Sequence, residues 1–349
     1  MELALFNLMS LNHEGETPAH VLELTTSSVQ LAEKVGFDAT WFAEHHFTSA
    51  SICPSPVMMV AHCAALTKRI RLGTGVVVLP LHNPLRAVQE IGFAQLMAGG
   101  RLNLGLATGH QSHEFSGYGI DLAARSEMMH EGWDILEQGL TTGRVNHQGK
   151  HFSYPDLPIC IAPGMPPIYL AGAGGSLLER AGRMGATVLV SQGVRTAEMA
   201  LPLKAKAEEG YRAGGFAGRD MPLGLQRYIF VTDDPAEQRR AAEGVLKLAR
   251  TTLSLREPVP PRDGVRMHSV PFEGEPTIEW LLEHTPIGSV EKVTRILSHD
   301  VKVLRPSHMS MYCGFSGLPI ASTLAAVERL GRDVLPALRR SAETEALAA

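Results

Sequence analysis

At 349 residues the chain has room for one large α/β domain or two ordinary ones, and is too short for three. Hydrophobic residues make up 44% and charged residues 19%, globular proportions that exclude wholesale disorder and a coiled coil. Lys and Arg number 32 against 36 Asp and Glu, a net charge of −4 without any basic run, so no nucleic acid is expected as a partner; no stretch approaches the roughly 18 apolar residues of a membrane helix and the N-terminus lacks a basic n-region, so no membrane is expected either and the cytoplasm is the expected location.

In chain order, short β-rich runs alternate with longer helical patterns. The first strand candidate is Leu3 to Met9. A helix follows from Pro18 to Val35, with Thr17 placed to cap it, Pro18 suited to the first helical position and Gly36 to close it. Further strands are expected at Ala39 to Ala43, Arg71 to Leu79, Leu102 to Ala107, Pro167 to Ala171, Thr187 to Ser191, Leu223 to Val231 and Ser307 to Cys313. Pro319 opens a closing helix in which Ile320, Leu324, Val327, Leu330, Val334 and Leu338 recur at spacings of three and four, an apolar stripe made to lie on a core. Eight β-α units predict a (β/α)8 barrel with insertion loops, with a doubly wound sheet as the alternative. No composition break marks a second domain, so residues 1–349 read as one. Two segments exceed ordinary loop length, Thr142 to Pro166 and Ser254 to Pro286; the second, at about 254–286, is the candidate lid, with surface decoration as its alternative.

In such a barrel function collects at the carboxyl ends of the strands. The second strand ends in Trp41-Phe42-Ala43-Glu44-His45-His46-Phe47, where a carboxylate beside two imidazoles can supply a general base, an oriented hydrogen bond or metal ligands; a self-satisfied buried cluster is the alternative. Adjacent residues on extended chain point to opposite faces, so His45 and His46 chelate together only if the strand has already ended. Gly73 and Gly75 in the third strand mark either close strand packing or a ligand against the backbone. The fourth strand exits through Thr108-Gly109-His110-Gln111 and the fifth through Gly172-Ala173-Gly174-Gly175-Ser176. The latter suits an anion: backbone N–H groups, a hydroxyl and a helix N-terminus converge there, though plain packing explains many such turns. It is neither a complete G-x-G-x-x-G nor a GK[ST] loop. Arg125 is placed to reach a phosphate from the fourth-strand side, or else is a solvated helix residue. The four cysteines, Cys53, Cys63, Cys160 and Cys313, form no C-x-x-C pair and read as reduced thiols.

Together, AEHHF at 43–47, GTGVVVLPLHNPLR at 73–86, GGRLNLGLATG at 99–109, PPIYLAGAGGS at 166–176, IGSVEKV at 287–293 and the closing DVLPAL resemble the bacterial luciferase-like family of flavin-dependent monooxygenases. The resemblance implies a (β/α)8 barrel holding reduced FMN at its carboxyl mouth, where the flavin reacts with O2 and, through a flavin peroxide, oxygenates a small organic substrate. It makes His45 the catalytic histidine, with Glu44 and His46 completing the motif. It places a cis peptide under the flavin at Gly75-Val76, the phosphate on Arg125, Gly174, Gly175 and Ser176, and the flavin edge on Ser191 and Gln192. His110, His113 and Glu114 fall in a segment implied to touch substrate. Thr108 departs from the family, standing at the cofactor where relatives carry an Arg, and Gln95 replaces a common Asp in what reads as a structural position.

The implied partners are the substrate, O2, a separate flavin reductase, since no nicotinamide fingerprint is visible, and further copies of the chain in a homo-oligomer. Three alternatives stand beside this reading. One is hydride transfer with a deazaflavin on the same fold; another is a metal-dependent hydrolase or lyase using the His-rich mouth, for which no H-x-H or carboxylate spacing supplies obvious metal ligands. The last is a non-catalytic flavin-binding subunit, against which the retained His45 speaks.

Overall fold

The computed structural model describes residues 1–11, 15–172, 174–215 and 220–348. Eight strands, β1 (Glu2–Asn7), β2 (Ala39–Phe42), β3 (Arg71–Val78), β4 (Leu102–Ala107), β5 (Ile168–Ala171), β6 (Thr187–Gly193), β7 (Leu223–Tyr228) and β8 (His308–Tyr312), close into a parallel barrel in sequential order. Closure runs through β1 and β8, with Glu2 beside His308 and Leu5 beside Met311. Around it lie α1 (Pro18–Val35), α2 (Pro56–Leu66), α3 (Pro84–Met97), α4 (Ser112–Gly117), α5 (Arg125–Thr142), α6 (Ser176–Met184), α7 (Ala197–Ala213), α8 (Pro235–Ser254), α9 (Ile278–His284), α10 (Val290–Leu304), α11 (Ile320–Arg329) and α12 (Leu335–Ala348).

Local chemistry sets α1 as expected. The Thr17 side chain accepts from His20 N at 3.3 Å, Pro18 begins the helix, and Gly36 takes the left-handed conformation at φ 94°. Its buried Val21, Thr25, Ser28, Val29 and Ala32 recur at helical spacing and form the face laid on the barrel.

Trp41 of β2 settles one question about the glycines. Its indole crosses the barrel interior, donating from Nε1 to His308 Nε2 at 2.9 Å and meeting Tyr169 edge-on at 4.7 Å. A Cβ on Gly73 would stand 2.3 Å from that ring, so Gly73 serves packing. Below it, Glu2 takes His308 Nδ1 at 2.9 Å. These side chains fill the barrel's interior, so the mouth is a cup with a floor.

The structure corrects three expectations. The 142–166 segment carries an antiparallel hairpin, Arg144–Gln148 with Ser153–Pro158, in place of irregular loop. The seventh strand ends at Tyr228; Phe230–Val231 then leave the barrel and pair with Ile287–Gly288. The closing helix is interrupted by a π segment at Leu330–Val334. There α1 comes so close that a Cβ on Gly331 would lie 2.1 Å from Val35; of the expected stripe, Val327, Leu330, Val334 and Leu338 are buried, whereas Leu324 is half-buried and Ile320 is exposed.

The 254–286 segment holds a small hairpin, Arg262–Asp263 with Arg266–Met267, and then α9. It is tied to the loop after β2: Ser49 N donates to Val265 O, Met267 N to Ser49 Oγ at 3.1 Å, and Arg262 to Phe47 O. Among the described residues no helix is long and apolar enough to cross a membrane.

Candidate active site at the barrel mouth

The carboxyl ends of the strands open into a cavity of about 1760 Å³. Of the residues singled out from sequence, Glu44, His45, Gly75, Val76, Thr108, His110, Glu114, Gly174, Gly175 and Ser191 line it. The Gly75–Val76 peptide is cis. Phe272, Gly274, Glu275, Pro276, Thr277 and Trp280 bring the 254–286 segment over the same cavity. A second cavity of about 240 Å³ adjoins it, sharing His45, His110, Gln111 and Thr252 as walls.

The β2 exit is dense with ionisable groups. β2 ends at Phe42, and in the irregular segment beyond it Glu44 and His45 both line the cavity whereas His46 does not. His46 is buried, its Nε2 donating to Glu44 Oε1 at 3.0 Å and its Nδ1 accepting from the Tyr118 hydroxyl at 3.0 Å. Glu44 also receives His82 Nε2 at 2.9 Å and the Val78 N–H at 3.2 Å. Burial alone would raise the Glu44 carboxyl, but the hydrogen bonds and charges of His46 and His82 hold it below the ordinary glutamate value. His82 shows the converse: burial opposes its charge, and Glu44 raises it above the usual imidazole value. His45 Nδ1 lies 3.2 Å from Glu114 Oε1 and 3.1 Å from Gln111 Nε2, and the same Glu114 oxygen accepts from the His46 N–H at 2.9 Å.

His110 is pushed down by burial and by the charges of His45 and Arg256, so it stays neutral near pH 7. His113 is buried, its pKa lowered chiefly by desolvation, and does not line the cavity among the described residues.

The β5 exit is built differently. Gly172 and Gly175 have positive φ, and a Cβ added at Gly172, Gly174 or Gly175 would meet nothing within 4 Å, so the turn presents bare backbone to open space; Ala173 lies outside the described residues. Ser176 begins α6 and its Oγ is 2.8 Å from His130 Nε2 of α5. Arg125 stands at the start of that same helix, its guanidinium donating to Leu122 O at 2.8 Å, and does not line the cavity. At the β6 exit Ser191 faces the cavity, whereas Gln192 is wholly buried on the other side, donating to Asp300 at 3.1 Å and Arg195 O at 3.2 Å. There it joins the buried Arg227–Asp300 pair, whose guanidinium also holds the carbonyls of Gly193 and Arg195. Gln192 therefore shapes the loop after β6 from behind. Gln95 keeps its structural role, accepting from Leu102 N at 3.2 Å.

His82, Gln111, Tyr118 and His130 join the site without a signal strong enough to single them out from sequence. Position alone could have found His82, which follows the β3 exit in Leu79-Pro80-Leu81-His82. His130 leaves no local trace, because only the packing of α5 beside the β5 exit brings it to Ser176. Among the described residues no three His, Cys, Asp or Glu side chains are arranged to hold a metal.

The family model for luciferase-like monooxygenases matches residues 1–276. An uncharacterized protein, y4vJ, of Sinorhizobium fredii (strain NBRC 101917 / NGR234) is 31% identical over 98% of both chains. The oxygenase component of a flavin-dependent trigonelline monooxygenase from Acinetobacter baylyi is 29% identical over 55% of this chain and 54% of its own, so that match spans about half of each. Two solved structures share the fold at low identity. The oxygenating constituent of 3,6-diketocamphane monooxygenase from Pseudomonas putida, in complex with FMN, superposes with a TM-score of 0.76 at 18% identity over 97% of this chain and 98% of its own. An F420-dependent secondary alcohol dehydrogenase with an F420-acetone adduct gives 0.70 at 19% over 97% and 99%. With one relative aligned from end to end and the family model running through β1 to β7 and over the mouth, the chain belongs to the luciferase-like monooxygenases and is an enzyme of that oxidoreductase class.

Proposed function

We propose that the chain is the oxygenase half of a two-component system: it binds FMN reduced by a separate reductase and uses O2 to oxygenate a small organic substrate. The observation that carries this reading is the pairing, across one cavity, of a histidine held at the β2 exit with a bare glycine turn at the β5 exit. The cavity exceeds the ~300–1,000 Å³ typical of a site for one small ligand, which leaves room for a flavin and a substrate together. When bound, reduced FMN supplies the electrons that activate O2. The chain's own residues bind and orient it: the Gly75–Val76 backbone against the ring system, and the Gly174-Gly175-Ser176 turn with Arg125 for the phosphate. Thr108 adds no charge there, so the phosphate relies on backbone N–H groups more than it would beside a second Arg. The 254–286 segment is the lid that keeps water from the reacting groups. Further copies of the chain, in a cytoplasmic homo-oligomer, complete the reading.

The name of the A. baylyi relative, an oxygenase component, supports the two-component arrangement. Titration of the purified protein with reduced FMN and with a reduced deazaflavin, followed by exposure to O2 and candidate substrates, tests the reading. FMN binding with O2-dependent product formation is the expected result. Binding of the deazaflavin alone would replace oxygenation by hydride transfer.

A further inference from the structure

We propose that Glu114 is the positioning residue of His45: it holds the imidazole with its proton on Nδ1, so that Nε2 carries the lone pair and can accept a proton or hydrogen bond. Two partners compete for Nδ1. Glu114 Oε1, at 3.2 Å, can only accept, whereas Gln111 Nε2, at 3.1 Å, can only donate. A bare Nδ1 would leave two lone-pair bearers facing each other beside a buried carboxylate, while a proton there makes a charge-assisted hydrogen bond, about twice as strong as the neutral one Gln111 offers. Glu114 is itself fixed, its side chain 2% exposed and its Oε1 anchored by the His46 N–H at 2.9 Å. Gln111 can yield: its Oε1 is buried without a hydrogen-bond partner among the described residues, and turning the amide round brings an acceptor to the Nδ1–H side.

The consequence is a division of labour between neighbouring carboxylates. Glu44 holds His46 inside the wall, and Glu114 aims His45, which stands at the junction of the two cavities. Glu114 thus acts through His45, as the orienting carboxylate does in other acid–histidine arrangements, and the oxygen nearest the imidazole is already committed to the protein. This inference rests on the mouth being the reaction site, but the state of the imidazole can be read without any flavin.

The test is nitrogen NMR of the His45 ring in flavin-free protein, assigned by its loss in His45→Asn. In the wild type the neutral ring is expected to be protonated on Nδ1, and in Gln111→Leu to remain so. In Glu114→Gln, which keeps an oxygen for the His46 N–H, the Nδ1–H form should lose its dominance. Turnover of that variant should fall about tenfold to a hundredfold with KM and FMN affinity unchanged. A wild-type ring protonated on Nε2, a Gln111→Leu ring that switches tautomer, or a Glu114→Gln variant that raises KM while keeping both tautomer and kcat would each overturn the proposal, the last by making Glu114 a substrate contact. If the protein binds no flavin, the proposed function fails while the tautomer result still stands or falls by itself.

Discussion

The exits of β2 and β5 face one cavity and are made in opposite ways. At β2, side chains do the work: the buried Glu44 and His46 with the half-buried His82 are locked in one hydrogen-bonded cluster, and the half-buried His45 is held by the buried Glu114 in another. At β5 three glycines and a helix start leave the backbone bare. On the proposed function, the contrast teaches that groups meant to handle a proton need orientation before any ligand arrives, which buried partners supply, whereas a phosphate would be met by backbone N–H groups that the turn itself aims.

Glu44→Ala probes the contrast most severely. It strips two imidazoles and a backbone N–H of their acceptor inside the wall, and denaturant unfolding should show a loss of about 3–5 kcal/mol. A loss near zero would erase the distinction between the exits. His45→Ala, by contrast, should leave the melting curve and FMN titration nearly unchanged while product formation falls about a hundredfold. If stability drops and activity per folded molecule persists, His45 belongs to the wall.

On the other exit, Arg125→Ala should weaken FMN binding about tenfold in a fluorescence titration and leave riboflavin binding unaffected, as a charge-assisted phosphate contact worth roughly 1.5 to 3 kcal/mol requires. Equal affinity for FMN before and after would mean that the phosphate is held elsewhere.

The pH dependence of unfolding sharpens the β2 side. Glu44 is held below its ordinary value, so its contribution is full above the unfolded-state pKa near ~4.3 and is lost as pH falls through the folded one. His82 is raised, so its contribution is full below about 6.5 and is lost as pH rises through its folded value. The cluster therefore stabilises most between those limits. His82→Gln should flatten the alkaline decline and keep the acid one; an unchanged alkaline limb would remove His82 from the cluster. The smallest effect is expected at β5: Gly174→Ala places its Cβ in open space and should shift stability by no more than about 0.5 kcal/mol.

The alternation of strand and helix patterns, with right-handed crossovers, narrowed the fold to a parallel barrel or a doubly wound sheet, and the pairing of β1 with β8 decided for the barrel. Local chemistry determined the start and end of α1, where capping depends on residues within a turn of each other. The tertiary structure decided everything that joins distant residues. Gly73 could be packing or ligand contact until Trp41 was seen across it. Gln192 adjoins the cavity-facing Ser191 in sequence, yet Asp300, 108 residues on, draws it behind the barrel wall. Glu114 and His45 stand 69 residues apart and meet because the exits of β2 and β4 share a rim. Propensity and spacing act over a few residues, whereas a hydrogen bond asks only that two groups arrive within about 3 Å, and only the closed barrel brings these together.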